Sequence, residues 1–206
     1  MEFERLVTTL EELREILPTP HANVVDKEIH ALDEHCRDFI ARSPFLLVAS
    51  TDGAGRVDVS PKGDPAGFVR VLDKTTLAIP ERPGNRRADT FQNVLEHPNV
   101  GLIFLIPGTK NTLRVRGTAR IARDELLLES MAVEGKKPLM ALVVDVTLAY
   151  FHCAKCIIRS ELWTSDLGRQ GDERLLADTT AAYVETDLTA DQLNEVIIDN
   201  ERTGLY

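Results

Sequence analysis

The sequence FLLVASTDGAGRVDVSPKGD, residues 45–64, decides the fold class. An apolar run at 45–50 ends in the tetrapeptide DGAG at 52–55, and polar and apolar residues then alternate over 56–60. A glycine-rich turn between two such runs is typical of a β-hairpin. We therefore predict two antiparallel strands in this stretch.

Outward from this hairpin, the same pattern recurs along the chain. Residues 68–72 and 75–79 flank the pair Asp73-Lys74, residues 100–106 and 113–121 flank the turn at 107–110, and 139–150 forms a long β-branched run. The connections are too short for the helical crossovers that parallel strands need. The pattern predicts a mainly β fold with peripheral helices, arranged as a small antiparallel β-barrel.

Helical patterns surround the predicted strands. Apolar residues at helical spacing predict helices over 10–17, after capping residues at 8–12, and over 25–42, whose apolar face we expect in the core. A helix over 85–96 interrupts the strands, and shorter ones are predicted at 124–133 and 153–159. A second capping box at 189–192 opens a helix toward Asn200.

Composition limits the classes of protein. The 206 residues are 43% hydrophobic, enough for one large core, and the longest apolar runs are too short to cross a bilayer. The first residues lack the pattern of a signal peptide, and three cysteines are too few for a disulfide framework. We therefore expect a cytoplasmic protein with reduced thiols.

Charge is unevenly distributed along the chain. The net charge is −9, yet residues 56–123 hold twelve basic and six acidic residues, whereas residues 171–206 hold nine acidic and two basic ones. The overall charge argues against nucleic acid or an acidic membrane as a partner. The basic middle fits a small anionic ligand, although scattered exposed cations would give the same sum.

The segment PERPGNRR, residues 80–87, is a candidate phosphate site. We expect Gly84 to take a positive φ in a sharp turn, Asn85 to cap the helix that follows, and Arg86 and Arg87 to add positive charge. Free amides at a helix N-terminus together with arginines bind phosphate well. The alternative is a solvated, arginine-rich start of a helix.

Two other segments contain residues that could bind a ligand or take part in a reaction. In DVSPKGD, residues 58–64, Lys62 stands beside a glycine at the end of a strand, where it either contacts a flat polar ligand or is a solvent-exposed turn lysine. In HCAKC, residues 152–156, Cys153 and Cys156 have the spacing of a thiol-redox motif. A zinc site is a second alternative, but it would need a ligand beyond His152 and these two thiols. The third alternative is that these residues are packed in the core or stand at the edge of a pocket.

Together, SPKGD at 60–64, RPGNR at 82–86, LRVRG at 113–117 and HCAK at 152–155 resemble the FMN-binding split-barrel proteins related to pyridoxamine 5'-phosphate oxidase. The resemblance covers residues 45–163 and is strongest to a bacterial subgroup of FMN-dependent proteins. It implies a split β-barrel, non-covalent FMN and a homodimer with flavin sites at the interface. In the dimer, Asn111, Thr112 and Arg114 would contact the partner's flavin, and His152 and Lys155 would face the pocket. The cofactor-binding residues that it implies are Val59, Ser60, Pro61, Lys62, Ile79, Pro80, Arg82, Asn85, Arg86, Arg87, Asn111, Thr112, Arg114, His152 and Lys155.

The chain also departs from the oxidase itself. The oxidase has an arginine where Val57 stands and a glutamine near Thr112, and the acidic tail has no equivalent of its substrate-binding region. We therefore expect an FMN-dependent oxidoreductase that acts on another small molecule. The alternatives are a flavin carrier without turnover, a thiol-redox protein using Cys153 and Cys156, and a split barrel that binds a deazaflavin or haem. The predicted domains are N-terminal helices at 1–43, the barrel at 44–163 and an acidic extension at 164–206.

Overall fold

Strands dominate the computed structural model, which describes residues 3–163 and 174–206. The strands are β1 (Phe45–Thr51), β2 (Val57–Gly63), β3 (Arg70–Val71), β4 (Thr76–Pro80), β5 (Asn99–Leu105), β6 (Thr112–Ala122) and β7 (Ala141–His152). Over these ranges they form one seven-stranded sheet in the order β2-β1-β5-β6-β7-β4-β3, and every neighbouring pair is antiparallel. The mainly β, antiparallel architecture is confirmed.

Helices lie before, between and after the strands. They are α1 (Leu10–Ile16), α2 (Ala22–Val25), α3 (Glu34–Arg42), α4 (Asp89–Glu96), α5 (Glu125–Ser130), α6 (Lys155–Ser160), α7 (Leu175–Tyr183) and α8 (Ala190–Thr203). Capping boxes at Thr9 and Thr189 open α1 and α8, as their sequences predict. Among the residues described, none of the helices has the length and apolar character needed to cross a membrane.

The single helix expected over 25–42 is wrong, because the second half alone forms a long helix. Asp33 caps α3 by accepting a hydrogen bond from the Cys36 amide at 2.8 Å. Upstream of that cap, Ile29 pairs through its backbone with Ala149 of β7, so this stretch extends the sheet locally. Cys36 lies in the core as expected, whereas Val25 is half exposed.

Two other elements are shorter than predicted. The strand expected over 68–72 contracts to β3, because Phe68 and Val69 turn into the core before the pairing with β4 begins. The helix expected over 124–133 is limited to α5, which Asp124 caps by accepting from the Leu127 amide at 2.9 Å.

The sheet wraps one hydrophobic core. Leu46, Val48, Leu102 and Phe104 alternate on the inner face of β1 and β5 and are at most 1% exposed. Helix α3 closes this core, because its Phe39 packs edge-to-face on Phe151 of β7 with ring centroids 5.5 Å apart. A smaller cluster behind β4 and β7 packs under α5, so these two strands are covered on both faces.

Two ion pairs join the end of β2 and the residue after it to the residues after β4, where the sheet closes into an open barrel. Lys62 pairs with Glu81, and Asp64 pairs with Arg82. Strand β2 is one edge of the sheet, and β4 lies beside the other edge, β3. The contacts therefore bring the two edges together and create the walls of a cleft at that seam.

The C-terminal extension returns to the same seam. Helices α7 and α8 are linked by an ion pair of 2.8 Å between Arg174 and Asp191. At the end of the chain, the Tyr206 hydroxyl donates to Asp64 Oδ1 at 2.8 Å, and Lys136 Nζ donates to the Tyr206 carbonyl at 3.1 Å. The first residues of the predicted extension, 164–173, lie outside the described residues, and the division into 1–43, 44–163 and 164–206 stays a prediction.

Candidate cofactor site

Two shielded ion pairs form the floor of the cleft. Lys62 Nζ lies 2.9 Å from Glu81 Oε2, and Arg82 Nε lies 2.5 Å from Asp64 Oδ2. The four side chains are between 2% and 24% exposed, so water screens them less than it screens a surface pair. Lys62 also lies 5.6 Å from the ring centre of Phe91, a cation–π distance. These contacts fix the position of the lysine that the sequence singles out.

Arg82 is engaged on three sides. Besides its bond to Asp64, it donates from a terminal nitrogen to the Met131 carbonyl at 2.8 Å. Its guanidinium carbon lies 5.5 Å from the ring centre of Tyr206. In this conformation Arg82 ties the cleft to the C-terminal extension, and its contact with a phosphate stays a prediction.

The turn before α4 differs from its expected geometry. The helix begins at Asp89 rather than at Asn85. Arg86 and Ala88, with φ of 62° and 56°, take the left-handed conformation that was expected of Gly84. Asn85 turns its side chain onto the Arg87 amide, 3.0 Å away, which favours a tight turn over a helical start. Left-handed non-glycine residues are uncommon and cluster at functional sites.

The two arginines of this turn have different surroundings. Arg87 donates to Asp89 Oδ2 at 2.8 Å, and its pKa is raised mainly by that hydrogen bond. Arg86 is exposed, and its side chain forms no hydrogen bond or ion pair with the residues that the structure describes. Arg86 is therefore the cation of this turn that is available to an anionic ligand.

One face of β2 supplies the opposite wall of the cleft. Asp58, Ser60 and Lys62 alternate with the more exposed Val57 and Val59, so the two sets lie on opposite faces of the strand. The polar set faces the turn and α4, whereas the valines face outward.

The cleft has two adjoining compartments. The turn compartment, about 330 Å³, lies against residues 80–86, and the helix compartment, about 220 Å³, lies between β2 and the start of α4. Residues that line both are Ser60, Pro61, Lys62, Glu81, Asn85 and Ala88. Of the other predicted residues, Pro80, Arg82 and Arg86 line the turn compartment, and Val59 and Arg87 line the helix compartment. Ile79 is 1% exposed and belongs to the core.

The remaining predicted residues lie near the end of β7 that is far from β4. Thr112 of β6 pairs with His152 of β7. Asn111 directly precedes Thr112, and Lys155 begins α6. Pro80 beside the cleft pairs with Ala141 at the start of β7, whereas His152 ends that strand eleven residues later, about 36 Å along it. Within one chain, the structure does not bring these residues into the cleft.

Arg114 lines a second, shallower depression, which we name the outer groove. Its guanidinium donates to the Tyr150 hydroxyl at 3.0 Å. The outer groove has a volume of about 290 Å³ and crosses the solvent face of β1, β2, β5, β6 and β7. Its lining residues are Leu47, Ala49, Val59, Gly101, Leu102, Ile103, Arg114, Val115, Arg116 and Tyr150. Val59 therefore links the outer groove to the cleft.

The two cysteines of the HCAKC segment are free and exposed. They stand before and within α6, which begins at Lys155. Over the ranges 3–163 and 174–206, the structure shows no cluster of three or more histidine, cysteine or acidic residues suited to a metal ion.

A comparison with family models matches residues 32–153 to the pyridoxamine 5'-phosphate oxidase family. This range covers more than half of the chain and includes every strand. The chain belongs to this family. The pyridoxamine 5'-phosphate oxidase match spans both walls of the cleft and the outer groove, while α1, α7 and α8 lie outside it. A comparison with curated proteins finds no significant match.

Solved structures give related matches. HupZ of Group A Streptococcus is 19% identical, with a TM-score of 0.46 over 57% of this chain and 90% of that one. A Lactobacillus delbrueckii protein described as a candidate pyridoxamine 5'-phosphate oxidase is 19% identical, with a TM-score of 0.43 over 59% and 99%. An FMN-binding protein from Syntrophomonas wolfei is 13% identical, with a TM-score of 0.43 over 69% and 95%.

Sequence reasoning missed several residues of the cleft. Glu81 and Asp64 hold the basic residues, and Asp58 and Thr90 line the helix compartment. Alternation along β2 would have placed Asp58 on the face of Ser60 and Lys62. Nothing local to Thr90 distinguishes it, because its position depends on where α4 starts.

Proposed function

We propose that this member of the pyridoxamine 5'-phosphate oxidase family binds FMN in the cleft and acts as an FMN-dependent oxidoreductase on a small molecule. The main support is the turn compartment, which Arg86 and the shielded Lys62–Glu81 pair both line. Arg86 is exposed there and has no partner among the described residues. A phosphate dianion would give Arg86 a charge-assisted bond.

Residues of the cleft also fit the rest of such a ligand. Asp58 Oδ2 and Thr90 Oγ1 are buried without a hydrogen-bond partner, which indicates that a polar ligand group belongs there. FMN supplies the redox chemistry when it is bound, and the chain binds and orients it. The positive charge of Lys62 is expected near the ring, where it would favour the reduced, electron-rich form.

Spectroscopy tests the proposal first. The purified protein, loaded with added FMN and freed of excess, should show flavin absorbance, and NADH or NADPH should bleach it under anaerobic conditions. A protein that binds FMN but is bleached by neither reductant, and that no small-molecule donor reduces, would instead be a flavin carrier. A protein that takes up no FMN would contradict the proposal, and uptake of haem or a deazaflavin in its place would assign the cleft to that cofactor.

The phosphate contact has its own test. Arg86→Ala should weaken FMN by about 10- to 100-fold, since a hydrogen bond to a charged group contributes about 1.5–3 kcal/mol. Riboflavin, which lacks the phosphate, should change by less than about twofold. Arg42→Ala, which removes an exposed arginine of α3 paired with Asp38, is the matched control. Equal losses for the two ligands would refute this placement of the phosphate.

We also propose a homodimer that forms through the outer groove. Val59 of the groove is 55% exposed, and Leu47 and Ile103 line the groove with it. Val57, two residues before Val59 on the same face of β2, is 71% exposed. Contiguous apolar surface of this kind marks interaction sites. Assembly would bring the Arg114 side of one chain toward the cleft of its partner, which gives Asn111, Thr112, His152 and Lys155 a route to the second flavin.

A further inference from the structure

Unpaired polar atoms concentrate in the helix compartment. Within the described residues, three buried side-chain polar atoms lack a hydrogen-bond partner, and two of them, Asp58 Oδ2 and Thr90 Oγ1, belong to residues that line this compartment. Thr90 is only 3% exposed. Leaving such an atom unpaired costs about 1–3 kcal/mol, so its occurrence twice in one small cleft calls for a ligand.

Local backbone geometry adds to this observation. Thr90 is the second residue of α4, whose start at Ala88 has no side-chain cap. Asp58 stands opposite on β2, two residues before Ser60 on the same face. A carboxylate and two hydroxyls are thus presented from two rigid elements, and each can accept a hydrogen bond.

The charges decide which part of a ligand fits here. Lys62 and Arg87 are already paired with Glu81 and Asp89, at 2.9 and 2.8 Å. Asp58 also interacts electrostatically with Arg87. The compartment is nevertheless lined by three carboxylates and only two basic side chains, so its net charge is negative. A phosphate or carboxylate would be repelled, whereas neutral hydroxyl groups can donate to Asp58 and exchange hydrogen bonds with Thr90.

The turn compartment has the opposite character. It contains Arg86, and it shares Ser60, Lys62 and Asn85 with the helix compartment. One ligand with an anionic end and a hydroxylated chain can therefore occupy both compartments at once.

We propose that Asp58 and Thr90 bind the polyol chain of the phosphate-bearing cofactor. This inference rests on the proposed function and deepens it, because it selects hydroxylated cofactors. Haem carries carboxylates and no hydroxyl groups, so Asp58 opposes its entry. The two residues are binding residues for the chain of the cofactor and have no part in its redox chemistry.

The test compares three ligands that differ only in the chain. FMN carries the polyol and the phosphate, riboflavin carries the polyol alone, and lumiflavin has a methyl group instead. Asp58→Ala should weaken FMN and riboflavin equally, by about 10- to 100-fold, and Thr90→Val by about 3- to 10-fold. Lumiflavin should change by less than about twofold. Asp58→Asn, which keeps one acceptor oxygen, should lose less than Asp58→Ala.

Cofactor-free protein provides a second readout. Because the Thr90 hydroxyl has no partner without a ligand, Thr90→Val should unfold at the same or a higher temperature than the wild type. The rise in unfolding temperature on adding riboflavin should be smaller in the variant. Asp38→Ala, which removes an exposed carboxylate of α3, is the control and should change neither quantity.

The outcomes separate this inference from the proposed function. If the wild type binds FMN and riboflavin but Asp58→Ala and Thr90→Val bind them unchanged, the inference fails and the proposed function stands. A loss for FMN alone would assign Asp58 to the phosphate end, and an equal loss for lumiflavin would assign it to the ring; each result overturns the inference. A wild type that binds no flavin overturns both.

Discussion

At the scale of single residues, burial decides which groups can react. Cys36 is 1% exposed beside the carboxylate that caps α3, whereas Cys153 and Cys156 are exposed. Burial, with the hydrogen bond and negative charge of Asp33, raises the pKa of the Cys36 thiol from 9.0 to about 12. Cys36 therefore stays a neutral core residue, and any thiol chemistry of this chain belongs to the other two.

This raised pKa predicts how stability depends on pH. Cys36 ionises at about pH 9 in the unfolded chain but only near pH 12 in the folded chain. Its contribution to the free energy of unfolding is therefore complete below pH 9 and is lost progressively as the pH rises toward 12. Between these values the free energy of unfolding should fall by up to about 1.4 kcal/mol per pH unit.

Urea unfolding between pH 8 and 11 measures this slope. Cys36→Ala, which has no thiol to ionise, serves as the reference for all other groups that titrate. The wild type should lose stability faster than the variant above pH 9. If the free energy of unfolding depended on pH in the same way in both proteins, the thiol would have the same pKa in the folded and the unfolded chain.

At the scale of elements, the C-terminal extension depends on a few contacts with the barrel. The Tyr206 hydroxyl donates to Asp64 at 2.8 Å beside Arg82, which ties the end of α8 to the wall of the turn compartment. The pKa of Tyr206 is raised above its ordinary value of 10.0, chiefly by that hydrogen bond. The stabilisation that this hydrogen bond provides is therefore complete below pH 10 and is lost when the pH rises through the raised pKa.

Tyr206→Phe should loosen the extension without unfolding the barrel. A partly exposed hydrogen bond contributes about 1 kcal/mol, so trypsin should cleave after Arg202 about fivefold faster. Tyr183→Phe is the matched control, because Tyr183 is 83% exposed. Equal cleavage of the two variants would mean that the Tyr206 contact does not hold the extension.

At the scale of the whole molecule, the inner face of the sheet is covered, and its outer face is open along β1, β2 and β5. Its inner face encloses the core, whereas Leu47, Val59 and Ile103 stay accessible on the outer face. The outer groove contains Arg114, and the cleft lies at the seam between β2 and β4. A flavin shared between two chains would use both surfaces, so cofactor binding and assembly should be linked.

Light scattering tests this linkage. The FMN-loaded protein should have twice the chain mass of 22.9 kDa. Ile103→Glu places a charge in the outer groove and should give single chains that bind FMN at least tenfold more weakly. Leu139→Glu, at a site 77% exposed before β7, should stay dimeric. A flavin-loaded monomer of the wild type would contradict the shared site.

The sequence by itself determined the features that depend on neighbouring residues. Glycine-rich turns and alternating strands predict the hairpin of β1 and β2, and the capping residues Thr9 and Thr189 predict the starts of α1 and α8. The order of motifs also indicated the family. These signals are readable because turn and capping preferences act over a few residues.

Only the tertiary structure decided how the cleft is built. Arg82 pairs with Asp64 and not with a ligand, Ala88 delays the start of α4, and Ile29 leaves its predicted helix to pair with β7. Asp58 and Thr90 gain importance only because Asp58 Oδ2 and Thr90 Oγ1, on facing elements, are buried without a hydrogen-bond partner. Each of these outcomes depends on closure of the sheet, which brings together residues far apart in the chain, and local preference contains no information about such contacts.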